Sequence, residues 1–142
     1  MYCQTGSGPA VRLKNERLIS SLFEDMAQIG NQPAIASMDI NMAKSKALQE
    51  AIELGWVDLG EHMSGGKPEL TYKKGKNPKI TRPDRVIANP ALLDILVGFQ
   101  VLNDTGIPSH SVLKIELNLA KPAGTYWCPE LLCMRSPQYT AC

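Results

Sequence analysis

The stretch Pro33-Ala34-Ile35-Ala36-Ser37-Met38-Asp39-Ile40-Asn41-Met42 constrains the fold of this chain more than any other. A short apolar run, entered through Asn31-Gln32-Pro33 and left through acid and amide side chains, predicts a buried strand with a polar end. Asp39 and Asn41 are two residues apart, so on an extended backbone both leave the same face of the sheet. A carboxylate beside a carboxamide can orient a water and hold a phosphoryl oxygen, which is hydrolase chemistry. Asp and Asn are also ordinary turn residues, and this fragment by itself leaves both readings open.

The surrounding chain supplies helices to cover such a strand. Between Val11 and Ile29, Leu18, Ile19, Leu22, Phe23 and Met26 form one stripe of an amphipathic helix, with Gly30 as its left-handed cap. A second helix is expected over Lys44 to Leu54, closed by Gly55, and Trp56 to Leu59 reads as a short extended piece. Gly60 to Lys79 reads as a polar loop with a short strand at Leu70-Thr71-Tyr72. Its lysines, Lys67, Lys73, Lys74, Lys76 and Lys79, suit either phosphate contact or a solvated hairpin tip. Ile80 to Ala88 reads as a strand. Asn89 and Pro90 open a short helix expected to run through Leu96 and end near Gly98, with a strand over Phe99 to Leu102. Ser111 to Leu119 alternates Leu113, Ile115, Leu117 and Leu119 with Lys114, Glu116 and Asn118, a half-buried strand. Residues 1 to 10, despite Gly6-Ser7-Gly8-Pro9, lack the Gly-Lys-Ser/Thr of a phosphate loop and read as irregular. The order of helices and strands predicts an α/β sandwich.

The totals exclude some classes. With 142 residues, 44% of them hydrophobic, one domain with a real core is expected. A formal charge of +1 gives no global pull toward nucleic acid or membrane. The longest apolar candidate, Ala91 to Leu102, is broken by Asp94 and Gln100, so no membrane span is expected. The first residues lack the charged and apolar regions of a signal peptide, and the expectation is a soluble intracellular protein. Cys3, Cys128, Cys133 and Cys142 have no metal-site spacing and read as reduced thiols.

Asp39, Asn41, Asp84 and His110 all fall at expected strand ends or adjoining loops. A histidine beside a buried aspartate has its tautomer fixed and can stay cationic against a phosphate. A second aspartate nearby can accept a proton from water or hold that water in line. The plain alternatives are a satisfied loop histidine and a strand-start acid.

Three blocks resemble those of the endonuclease/exonuclease/phosphatase superfamily, the fold of DNase I, apurinic endonucleases and the endonuclease domains of LINE-type retrotransposons. Ser37-Met38-Asp39-Ile40-Asn41 is similar to its Gly-Asp-x-Asn block, Thr81-Arg82-Pro83-Asp84-Arg85-Val86 to its Arg-Ile-Asp-x-Val block, and Ser109-His110-Ser111-Val112 to its Ser-Asp-His block before the last strand. The resemblance implies the C-terminal half of a DNase I-like four-layer α/β sandwich with a mixed, largely antiparallel sheet, over residues 1–120, followed by an irregular tail at 121–142. It further implies that Asp39 orients the attacking water, Asn41 holds that carboxylate and the phosphate, Asp84 orients His110, and His110 binds the scissile phosphate. Tyr2 and Thr71 fall where the family contacts phosphate. The family uses magnesium to polarise the phosphate, and its main ligand, a glutamate, belongs to the N-terminal half that the resemblance does not cover. Met38, Pro83 and Ser109 depart from the family blocks: Met38 adds bulk beside Asp39, and Pro83 removes a ladder donor.

The expectation is therefore a fragment of a magnesium-dependent phosphodiesterase, most like a LINE-type DNA endonuclease, with DNA as substrate and weak activity on its own. The alternatives are a non-catalytic remnant or interaction module, and a phosphatase of the same superfamily. An apolar sheet face left without its partner half is expected to associate with another surface.

Overall fold

Helix α1, Pro9–Ala27, starts with proline at its first turn, where the missing N–H breaks no helical bond. It buries Ile19, Phe23 and Met26 of the expected stripe, with Leu22 packed at the edge and Leu18 exposed, and it ends in a turn at which Gly30 adopts φ 66°. A computed structural model describes residues 1–6, 8–73, 80–103, 105–106 and 109–120. The tail at 121–142, with Cys128, Cys133 and Cys142, and the loop residues Lys74, Lys76 and Lys79 lie outside them.

After α1 the described chain runs β1 (Ile35–Asp39), α2 (Lys46–Glu53), β2 (Val57–Asp58), α3 (Leu59–Met63), β3 (Tyr72–Lys73), β4 (Ile80–Thr81), β5 (Asp84–Ala88), α4 (Pro90–Leu93), β6 (Leu96–Leu102) and β7 (Val112–Leu117). The strands form a three-stranded sheet in the order β1-β5-β2 and two hairpin-like pairs, β3-β4 and β6-β7, all antiparallel.

The register of β1 against β5 divides the core. Ala36 pairs with Ile87 and Met38 with Arg85, while Ser37 pairs with Val86 and Asp39 with Asp84. One face thus sends Ala36, Met38, Ile40 and Ile87 under α1 and α2. The opposite face sends Val86 and Ala88 against Leu59, Leu92 and Ile95, with Phe99, Leu113 and Ile115 of the β6-β7 pair packed on them. Burying each of these large side chains is worth about 1.5–3 kcal/mol. Met38 is 2% exposed and points into the helix-covered core, so its bulk lies on the other side of the sheet from Asp39.

Several local expectations change. Residues 1–4 are not a free loop: Asp39 N–H donates to the Met1 carbonyl and Cys3 N–H to the Asp39 carbonyl, so Tyr2 forms a parallel bridge on the outer edge of β1. The buried Asn15 secures this segment through both amide atoms, accepting from Gln4 N–H and donating to the Gln4 carbonyl, each at 2.9 Å. Helix α3 stands where a loop is predicted from Gly60 onward. Asp58 caps it, accepting from Gly60 and Glu61 N–H, and the Asp-x-x-Glu spacing of Asp58 and Glu61 is the signal for it. Helix α4 ends at Leu93 rather than Gly98, because β6 begins at Leu96 to pair along its length with β7, with an irregularity between Leu96 and Gly98. Pro83 sits between β4 and β5 instead of inside a ladder, and its carbonyl accepts from Ile40 N–H.

Two acids, one half-buried and one buried, tie these elements together. Glu16 of α1 accepts from Lys46 N–H, Ala47 N–H and the Ser45 hydroxyl, capping α2 from a neighbouring helix. Burial pushes its carboxyl up, but those donors outweigh it and hold the pKa below its ordinary value. Asp58 is 4% exposed and ion-paired with Arg82 and Arg85. Burial again works upward, and Arg82 and then Arg85 bring its pKa below the usual range.

Two outcomes follow for stability. Glu16→Gln costs about 1 kcal/mol at neutral pH. Because the folded-state pKa is lowered, that difference is full above the ordinary carboxylate value and closes as pH falls through the lower folded value, which urea unfolding across the acid range measures. Asp58→Ala costs about 3 kcal/mol, since it leaves two largely buried guanidinium groups with only the exposed Glu61 carboxylate, 3.4 Å from each; thermal unfolding reads this directly.

Candidate active site

The sheet register that sorts the core also gathers the polar residues. Asp39 ends β1 and Asp84 opens β5, directly opposite one another, so both side chains leave the face away from α1 and α2. Tyr2, bridged in parallel to Asp39, extends the same row by one position at the outer edge, and its ring is 65% exposed. Tyr2, Asp39 and Asp84 therefore lie side by side across adjacent chain segments.

His110 reaches this row from the loop before β7. Its Nδ1 lies 2.9 and 3.1 Å from the two carboxylate oxygens of Asp84. The histidine side chain is 37% exposed and the aspartate 18%. With Nδ1 engaged, Nε2 is the ring nitrogen left for a substrate. Ser109, immediately before it, has φ 72°, a left-handed conformation that turns the chain at this point. One ligand atom each from Asp39, Asp84 and His110 lies within 4.8 Å of the others.

Asp39 carries the perturbed charge of the group. Burial is the main cause raising its pKa, the Asp84 charge adds to it, and the Asn41 hydrogen bonds and His110 pull the other way; the net shift is upward. A carboxylate of raised pKa is a stronger base, which suits a group that takes a proton from water.

Asn41 is placed differently from the extended-strand expectation. It has φ 46°, so the strand has already ended, and side-chain alternation does not orient it. Its N–H donates to Asp39 Oδ1 at 3.1 Å and its side-chain amide donates to the Cys3 carbonyl at 2.8 Å. It therefore holds the Asp39 carboxylate and fixes the edge segment that carries Tyr2. Cys3 is buried and unoxidised, and burial followed by the Asp39 charge pushes its thiol up, keeping it protonated.

Thr71 is 1% exposed and sits beneath the pair rather than at its surface. Its hydroxyl oxygen accepts from Asp84 N–H at 3.1 Å. Sequence patterning had no means of finding this bond, because it joins a loop to a strand start thirteen residues away.

Magnesium asks for six oxygen ligands in near-octahedral geometry. Here both Asp84 oxygens face His110 Nδ1, and Asp39 Oδ1 receives the Asn41 N–H. The described residues do not by themselves make such a cage. Among them, no helix is long and apolar enough to cross a membrane.

No family model matches the chain, and no curated protein matches it by sequence. Its structure is similar to that of the 3′ phosphatase NExo from Neisseria, solved bound to a product DNA hairpin, with a TM-score of 0.63 and 14% identity, covering 79% of this chain and 56% of that one. It is also similar to an AP endonuclease from Archaeoglobus fulgidus, with a TM-score of 0.63 and 15% identity, covering 77% of this chain and 55% of that one. The chain spans a little over half the length of either protein. At this identity the likeness shows the fold alone: the described residues share the α/β architecture of these two proteins.

Proposed function

We propose that this chain carries the aspartate and histidine part of a site that hydrolyses phosphate esters of DNA, and that its ancestry is a LINE-type endonuclease domain. The observation that carries the reading is the convergence of Asp39, Asp84 and His110 within 4.8 Å on one sheet face, in a fold shared with two DNA-processing enzymes. Asp39 takes the proton of, and orients, the attacking water. Asp84 holds His110 through Nδ1, and the remaining nitrogen donates to a non-bridging phosphate oxygen as charge builds there. Asn41 steadies Asp39 through its backbone N–H. Tyr2, in the same row, offers a phenol to the phosphate.

Magnesium, when bound in enzymes of this fold class, polarises the phosphate; the described residues leave that ligand set incomplete. The reading therefore includes low turnover by the chain alone. The LINE-type assignment rests on the three sequence blocks around Asp39, Asp84 and His110.

A phosphatase reading is favoured by one observation, that one similar structure is a 3′ phosphatase. Substrate separates the two. With magnesium and supercoiled plasmid, slow nicking is expected, and Asp39→Ala and His110→Ala should each remove it, by roughly a hundredfold or to background. Nicking indifferent to both substitutions contradicts the reading. Faster release of inorganic phosphate from a duplex ending in a 3′-phosphate selects the phosphatase. DNA binding with no Asp39-dependent turnover on either substrate selects an interaction module.

A second outcome concerns the support of the site. Thr71→Val removes the acceptor of a part-buried Asp84 N–H at nearly constant volume, and should cost about 1–3 kcal/mol in urea unfolding.

A further inference from the structure

We propose that Tyr72 is a positioning residue for His110, and that the dipeptide Thr71-Tyr72 fixes both members of the aspartate–histidine pair. Three contacts converge on this short segment. Lys73 N–H donates to the Ser109 carbonyl and Ser111 N–H to the Thr71 carbonyl, each at 2.8 Å, so the backbone is tied on both sides of His110. Tyr72 and His110 are directly opposed as an antiparallel bridge, which puts their side chains on one face. Their rings meet at a centroid distance of 4.8 Å and an interplanar angle of 61°, an edge-to-face arrangement.

The imidazole is thus held from two directions, by the Asp84 carboxylate at Nδ1 and by the Tyr72 ring. It needs the second hold. Its loop turns through the left-handed Ser109, and the side chain is 37% exposed, so a single hydrogen bond would leave the ring free to rotate toward water. Thr71 holds the Asp84 backbone from the adjacent position. The Tyr72 hydroxyl plays no part in this account, so phenylalanine should serve as well.

This inference deepens the hydrolase reading, and rests on it only for the consequence to DNA. The test is the tautomer of His110, read by long-range proton–nitrogen NMR on the full chain at a pH of about 9, where an ordinary histidine is neutral. His62, exposed on α3, is the internal reference. In the wild type, His110 should show the Nδ1–H form that donates to Asp84, against the solution form of His62. Tyr72→Phe should keep that pattern. Tyr72→Ala should shift the ratio of Nδ1–H to Nε2–H forms about fivefold toward the solution form, the weight of one edge-to-face pair. Tyr72→Leu, which keeps apolar bulk at the strand, should shift it likewise and serves if the alanine variant does not fold. A His110 spectrum unchanged in the alanine or leucine variant overturns the proposal. A spectrum that changes as expected, with no DNA hydrolysis by any variant including the wild type, upholds the positioning role and overturns the hydrolase reading.

Discussion

Everything in this structure that bears on chemistry depends on the register of β1 against β5. Because side chains alternate along a strand, the pairing of Asp39 with Asp84 simultaneously sends Met38 and Ile87 beneath the helices and Val86 and Ala88 toward the β6-β7 pair. A slip of β1 by one residue would put Asp39 into the helix-covered core and take Met38 out of it. The apolar pattern forbids it. Core packing and site assembly are therefore one constraint, and the placement of the two acids is guaranteed by the burial of their neighbours.

The acids are close enough to oppose each other, and the surrounding donors answer this unequally. Asp84 has His110 at its carboxylate and Thr71 at its backbone N–H. Asp39 has the Asn41 N–H, and burial with the Asp84 charge leaves its pKa raised. The two carboxylates thus differ in partners: one is engaged by an imidazole, the other accepts from a backbone N–H and is left available to a water. The further acid, Asp58, lies on the opposite face, paired with Arg82 and Arg85.

The sequence made the local elements legible wherever periodicity is strong. Helix α1 and the caps at Gly30 and Asn89 appear as the residue pattern predicts, whereas the alternation of β7 fails at its end, where Leu117 and Leu119 are exposed and Glu116 is half-buried. The order of Asp39, Asp84 and His110 along three blocks pointed to the fold, and the structural likenesses agree with it. What escaped was built by distant partners. Residues 1–4 join the sheet through backbone bonds to Asp39 and are held there by the Asn15 and Asn41 side chains. Asn41 leaves the strand because it turns left-handed, so the two-residue spacing from Asp39 misdirected its side chain. The contact of Tyr72 with His110 spans thirty-eight positions of chain, as the numbering shows, and no local pattern encodes it. Met38 drew attention as bulk beside an acid, although alternation already placed it on the far face.

The central claim is that the sheet face bearing Tyr2, Asp39, Asp84 and His110 receives a DNA phosphate. The most direct measurement is a backbone and histidine-ring NMR titration of the chain with a short DNA duplex. The account predicts shift changes concentrated at Tyr2, Asp39, Asn41, Asp84 and His110, and lost in His110→Ala. Changes confined to other surfaces, or a footprint that survives His110→Ala undiminished, would contradict it.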